Sequence, residues 1–297
     1  MFLQPYQLPM SLSTLLHLRI PFSFFLLPIY LFALALSDNI LWPEVVLVFI
    51  ILHLFLYPAS NGYNSYFDKD KDSIGGLRTP SKVTDDLYYV SLILDAMALG
   101  LGAFIGWDFV LMLLVYGLVS KAYSHPRLRL KKYPILGWFI AGFFQGFFTW
   151  IMSYKAINQV GWQEILQPQP LLAAGLCTLL LWGSFPMTQI YQHKEDGPRG
   201  DQTISILLGI RGTFYFSAAM FGLANASFLY FFWSYYEKNV VWVFQLFLLP
   251  IFGYFLWWLI RVLKDVNQAN FDHTMRLNII SSFFLNCFFL GFHLVRP

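Results

Sequence analysis

Charge is what this sequence has least of. Asp, Glu, Lys and Arg together make up 12% of its 297 residues, against 58% hydrophobic and 20% aromatic, which excludes an ordinary soluble domain. Cysteine is also scarce. Cys177 and Cys287 both fall inside apolar runs, at neither metal-ligand nor disulfide-like spacing, and read as membrane-packed side chains. The net charge of +3 is too small to signal a nucleic-acid partner, and none is expected.

What is present is apolar length. A bilayer crossing takes about 20 mostly apolar residues, and runs of that kind begin near residues 11, 40, 85, 107, 135, 170, 212, 240 and 276. They predict an all-α, polytopic membrane protein with nine transmembrane helices and a single domain over 1–297, leaving no room for a soluble module. The first run exceeds the apolar core of a signal peptide and has no clear small-residue cleavage site, so it reads as a span.

The few charges are unevenly placed. With nine spans, every basic residue except Lys155, Lys238 and Arg296 falls on one side of the membrane, out of 19 in all. The positive-inside rule then puts the amino terminus in the cytoplasm and the carboxyl terminus outside. With no transit peptide or sorting signal evident, a bacterial cytoplasmic membrane is the default expectation.

Two polar segments share the basic side. The first, "PASNGYNSYFDKDKDSIGG" over 58–76, sets Asn64, Asp68 and Asp72 four apart. On a helix that spacing makes one slowly drifting stripe, with Asp70 pointing elsewhere. Gly75 and Gly76 then stop the helix. Like charges so spaced repel unless a cation lies among them, and an open set of hard oxygen ligands suits Mg2+. A solvated loop of mixed charge accounts for the spacing equally well.

The second segment, "FPMTQIYQHKEDGPRGDQT", aligns with the first at a constant offset. Pro58, Asn61, Tyr63, Asn64 and Asp68 correspond to Pro186, Gln189, Tyr191, Gln192 and Asp196. If the match is not chance, Asp196 faces Asp68 across a shared cavity. Arg78, Lys82, Lys194 and Arg199 frame the two segments, and "KAYSHPRLRLKK" lies between them on the same side. Carboxylates interleaved with cations fit a ligand that is anionic and metal-bridged, such as a diphosphate with Mg2+. Topology alone also recruits Lys and Arg to this side.

"SNGYNSYFDKDKD" resembles the first aspartate-rich motif, N-x-x-x-D-x-x-x-D, of the UbiA superfamily of intramembrane aromatic prenyltransferases. "QIYQHKEDGPRGDQT" is similar to the second motif, D-x-x-x-D, ahead of a G-D-R-T-like turn, and "YSHPRLRLKKYP" looks like the family's Tyr-Ser and Lys loop. The resemblance implies a helical bundle around a central cavity that opens laterally to lipid, with motif loops at about 61–82 and 189–205. It implies two Mg2+ ions gripping an isoprenyl diphosphate, and transfer of the prenyl group to an aromatic or other lipophilic nucleophile within the membrane. Asn64, Asp68, Asp72, Gln192 and Asp196 become metal ligands, with Asp68, Asp72 and Asp196 catalytic. Arg78, Lys82, Tyr123, Lys131, Lys132, Lys194 and Arg199 become diphosphate contacts. Two departures stand out: Ser65 follows Asn64 where many members have Asp, and Gln192 replaces the first Asp of the second motif. An uncharged amide there holds the second metal less strongly, or with help from Glu195 or Asp201. The same ionisation with internal capture would make a terpene cyclase. The paired half-motifs and mid-span Asp95 would instead suit a transporter for a phosphorylated metabolite.

Overall fold

The computed structural model describes residues 11–296, all helix, turn and loop except for one isolated bridge between Ile74 and Leu77. Residues 1–10 and 297, the termini whose sides the charge bias predicts, lie outside the described residues. In chain order the main helices are α1 (Leu12–Leu18), α2 (Leu27–Ala35), α3 (Trp42–Asp68), α4 (Asp86–Gly102), α5 (Trp107–Ser124) and α6 (Pro134–Asn158). After them come α7 (Pro168–Thr188), α8 (His193–Arg199), α9 (Ile204–Tyr235), α10 (Lys238–Lys264) and α11 (Phe271–Val295).

Six of these, α3, α6, α7, α9, α10 and α11, are long and apolar enough to cross a membrane. A seventh span is made if the segments Leu12–Phe25 and Leu27–Ala35, bent by 41° at their junction, count as one. By this measure six or seven of the expected nine are accounted for. Helices do form at the two remaining places, but α4 has 17 residues and α5 has 18 with Asp108 and Lys121 near its ends. At about 1.5 Å per residue they are marginal for a bilayer. Within the segment Leu12–Phe25, Arg19 at φ 48° takes a left-handed conformation that ends α1. Near its start α9 is interrupted by Gly209 at φ 68°.

An aromatic core binds α2, α9, α10 and α11. Phe32 stacks on Phe289 at 4.6 Å between centroids, and Phe228 lies 5.0 Å from Phe244. Bulky apolar side chains such as Trp242, Leu246 and Leu249 face outward on α10, as lipid-facing surface must.

Two long helices carry a π turn, at Ile51–Leu56 in α3 and at Phe144–Phe148 in α6. A π turn displaces backbone partners and re-aims side chains. In α6 the Phe147 N–H donates to Thr178 Oγ1 of α7 at 2.9 Å. This contact requires Gly146, because a Cβ there would lie 2.7 Å from the backbone Cα and N of Thr178. Gly146→Ala is expected to force α6 from α7 and cost about 1–3 kcal/mol, read as a lower thermal unfolding midpoint in detergent.

Candidate functional site

The last turn of α3 supplies the first polar groups. Asn64 and Asp68 share a face one turn apart, and Lys69 at φ 52° then stops the helix. The stripe expected to run on to Asp72 is cut off by that left-handed residue. As the chain reverses, Asp70 turns inward, 5% exposed at its side chain, and pairs with Arg199. Asp72 is left exposed, its backbone N–H donating to Glu195 Oε1 at 2.9 Å beside that of Lys71 at 2.7 Å. Glu195 thus ties the two polar segments together through the backbone.

The loop after α5 enters from the side. Ser124 Oγ donates to Asn64 Oδ1 at 2.7 Å. Arg129, itself left-handed at φ 42°, forks onto Asp201 with Nε and Nη2 each 2.6 Å from a carboxylate oxygen. The same Nη2 lies 3.2 Å from Asp68 Oδ1. Lys131 pairs with Asp68 and reaches Asn64 Oδ1 at 3.3 Å.

From the other half of the chain come α8 and the turn behind it. Arg199 Nη1 lies 3.6 Å from Asp68, 3.9 Å from Asp196 and 4.0 Å from Asp201. The carboxylates of both polar segments therefore surround one guanidinium. Gly200 at φ 83° makes the turn that points Asp201 inward, where its side chain is 1% exposed.

Other expected positions lie apart. Arg78 is exposed, paired with Asp272 and set over Phe271. Lys82 and Lys194 are exposed and in no ion pair among the described residues. Lys132 covers Tyr133 at 4.9 Å. Tyr123 and Gln192 line the chamber beside the cluster. Mid-span Asp95 pairs with Lys121. Arg129 and Asp70 are central residues that the spacing did not single out. Neither has a sequence signal, because each is placed by a left-handed residue, Arg129 itself or Lys69, within a loop.

Burial raises the carboxyl of Asp196 to about 7, with Asp201 and Asp70 adding to the rise and Lys131 and Arg199 opposing it. Burial, with Asp68 alongside, also raises Asp70. Such groups would gain from a further cation. The donors, Asp68, Asp70, Asp196 and Asp201 with the amides of Asn64 and Gln192, are the hard oxygens Mg2+ takes. No three acidic, His or Cys side chains form a ready cage among the described residues. This suits an ion that keeps waters and fills its shell from a bound phosphate. A metal at Asp196 must displace its proton below about pH 7. Apparent Mg2+ affinity is therefore expected to fall as pH drops from 8 to 6, approaching tenfold per unit at the acid end, as titration calorimetry would record.

Beside this cluster lies an outer chamber that adjoins an inner one. The outer one, of about 180 Å³, is lined by Arg19, Asn64, Tyr123, Ser124 and Gln192 among others. The inner one, of about 210 Å³, runs between Phe22, Ile29, Phe228, Phe244, Phe255 and Leu285. Phe22, Ser60, Asn61, Tyr116 and Gln145 wall both. A polar head and an apolar tail thus have separate, touching compartments.

The model of the UbiA prenyltransferase family matches residues 25–287. Among solved structures the fold is similar to a UbiA homolog from Archaeoglobus fulgidus bound to GPP and Mg2+, at 17% identity and TM-score 0.67, covering 95% of this chain and 100% of that one. It is similar also to the apo UbiA homolog from Aeropyrum pernix K1, at 17% identity and TM-score 0.72 over 92% of this chain and 98% of that one. A digeranylgeranylglyceryl phosphate synthase matches at 20% identity and TM-score 0.60, over 95% and 98%. No curated protein sequence matches significantly. At these identities the structural likeness carries the fold.

Proposed function

Because the chain belongs to the UbiA prenyltransferase family, we propose that it ionises an isoprenyl diphosphate with Mg2+ and passes the prenyl group to a lipophilic or aromatic nucleophile inside the membrane. The observation that carries this reading is the carboxylate and guanidinium cluster beside an outer chamber walled by its neighbours Asn64 and Gln192, which in turn shares a wall with an apolar one. The relative from Archaeoglobus fulgidus, described as bound to GPP and Mg2+, supports the choice of ligand.

Asn64, Asp68 and Asp196 hold the metal in this reading, with Asp70 from the first loop and the amide of Gln192 assisting. Asp72 stays at the solvent edge. Mg2+ supplies positive charge where the leaving oxygen becomes negative. Arg129, Lys131 and Arg199, now paired with carboxylates, swing their donors to the diphosphate, and Tyr123 offers a hydroxyl from the chamber wall. The allylic carbon–oxygen bond breaks with its electron pair going to the diphosphate. The acceptor's electron pair then closes on the cation, and the acceptor's proton leaves to diphosphate or water.

Phe22, Tyr57, Tyr116 and Phe228 border the space where the cation forms, so aromatic faces rather than water surround it. The basic bias of the loops supports a cytoplasmic-face position for this cluster in this reading. The test is to supply purified protein with allylic diphosphates and candidate acceptors and read diphosphate and lipid products by mass spectrometry. Transport of an intact phosphorylated molecule with no bond cleavage would defeat the proposal.

A further inference from the structure

The inner chamber has a composition that the prenyl tail alone does not explain. No Asp, Glu, Lys, Arg or His lines it among the described residues. Uncharged polar side chains do line it. Asn278, Ser281 and Ser282 share one face of α11 at spacings of three and four, and Gln145 approaches from the π turn of α6. Asn225 of α9 also faces in, held by Gln245, whose Nε2 donates to its Oδ1 at 2.8 Å. The side chains of Gln145, Asn278 and Ser281 have no hydrogen-bond partner among the described residues, although each is half-buried.

A hydrocarbon chain needs none of these groups. Amides and hydroxyls facing a largely apolar space are best matched by a guest with complementary polar atoms. A carboxylate or phosphate on that guest would enter with no cation to meet it, which is unfavourable. Gln145 also walls the outer chamber, so it stands at the boundary between the two.

We propose that the acceptor is an uncharged amphiphile, nucleophilic through a hydroxyl or an electron-rich ring, and that Gln145 and Asn278 orient it. The proposal rests on the prenyl-transfer reading and narrows its substrate class. Asn225, fixed by Gln245, adds a third contact.

The experiment compares the methyl ester and the free acid of one alkylated hydroxyaryl carboxylic acid as acceptors for an allylic diphosphate, using the full chain in detergent. Diphosphate released and prenylated product are measured together. The expected result is transfer to the ester at least about 100-fold more efficient than to the acid. Gln145→Leu and Asn278→Leu are expected to lower the ratio of product to released diphosphate about tenfold and to raise the acceptor KM. Asn278→Arg should shift preference toward the acid. In parallel, the ester and not the acid should raise the Tm of the wild-type protein, a binding readout independent of catalysis. Equal or better use of the acid, a stabilising shift by the acid alone, or an unchanged product ratio in both leucine variants would overturn the proposal. Failure of the wild-type protein to release diphosphate from any donor would strike the prenyl-transfer reading instead, with the Tm comparison still deciding acceptor class.

Discussion

Asp68→Asn is expected to reduce Mg2+-dependent diphosphate release by about 10³-fold, the upper range for removing one preorganised electrostatic contact. Asp68 faces Arg129, Lys131 and Arg199 at once. In the proposed complex its carboxylate is the hub between metal and cations. The substitution keeps shape and removes charge, so the loss should fall on kcat more than on folding. A readout of both diphosphate and Tm checks this. A fall in Tm without a fall in rate would assign Asp68 a structural part only.

The second large effect concerns Arg129. Its fork holds Asp201, 1% exposed at the side chain, through two contacts of 2.6 Å. Arg129→Leu strands that carboxylate and leaves Asp68 with one fewer cation. Breaking one partner from a buried pair typically costs about 3–5 kcal/mol. Arg199 Nη1 at 4.0 Å from Asp201 softens this, so about 2–3 kcal/mol is expected here. Activity should drop about 10²-fold. Arg129→Lys should recover little, because a lysine cannot span both carboxylate oxygens. Asp201→Asn in the Arg129→Leu background should restore much of the lost stability, since the pair acts as one unit. Strict additivity in this double-mutant cycle would mean the two residues do not depend on each other.

Much of this was legible in the sequence because it follows from local rules. Apolar runs located the helices, and the offset match between the two polar segments led to the expectation that Asp196 faces Asp68 across a cavity; the structure instead sets the Arg199 guanidinium near both, 3.6 Å and 3.9 Å away. Where the reading failed, the cause was a single backbone conformation. The left-handed Lys69 ended α3 at Asp68, which turned Asp70 in and left Asp72 out. No propensity identifies a lysine in that conformation beforehand. Arg129 was one basic residue among five in its region, and its significance depends on Asp201, 72 positions away in the chain. The π turns that aim Gln145 into the chamber depend in the same way on contacts such as Gly146 against Thr178. Helices formed at α4 and α5 as the apolar runs suggested, but at 17 and 18 residues, because hydropathy counts apolar residues without showing where a helix ends.

Occupancy of the cluster by a divalent ion is open to direct observation with Mn2+ in place of Mg2+. Electron paramagnetic resonance of the purified protein, titrated with Mn2+ and an unreactive allylic diphosphate analogue, should show metal bound only when the analogue is present or far more tightly then. Asp68→Asn and Asp196→Asn should each weaken that same ternary complex, although they lie on opposite halves of the chain. Tight Mn2+ binding unaffected by the analogue, or undiminished by either substitution, would contradict a shared metal and diphosphate site.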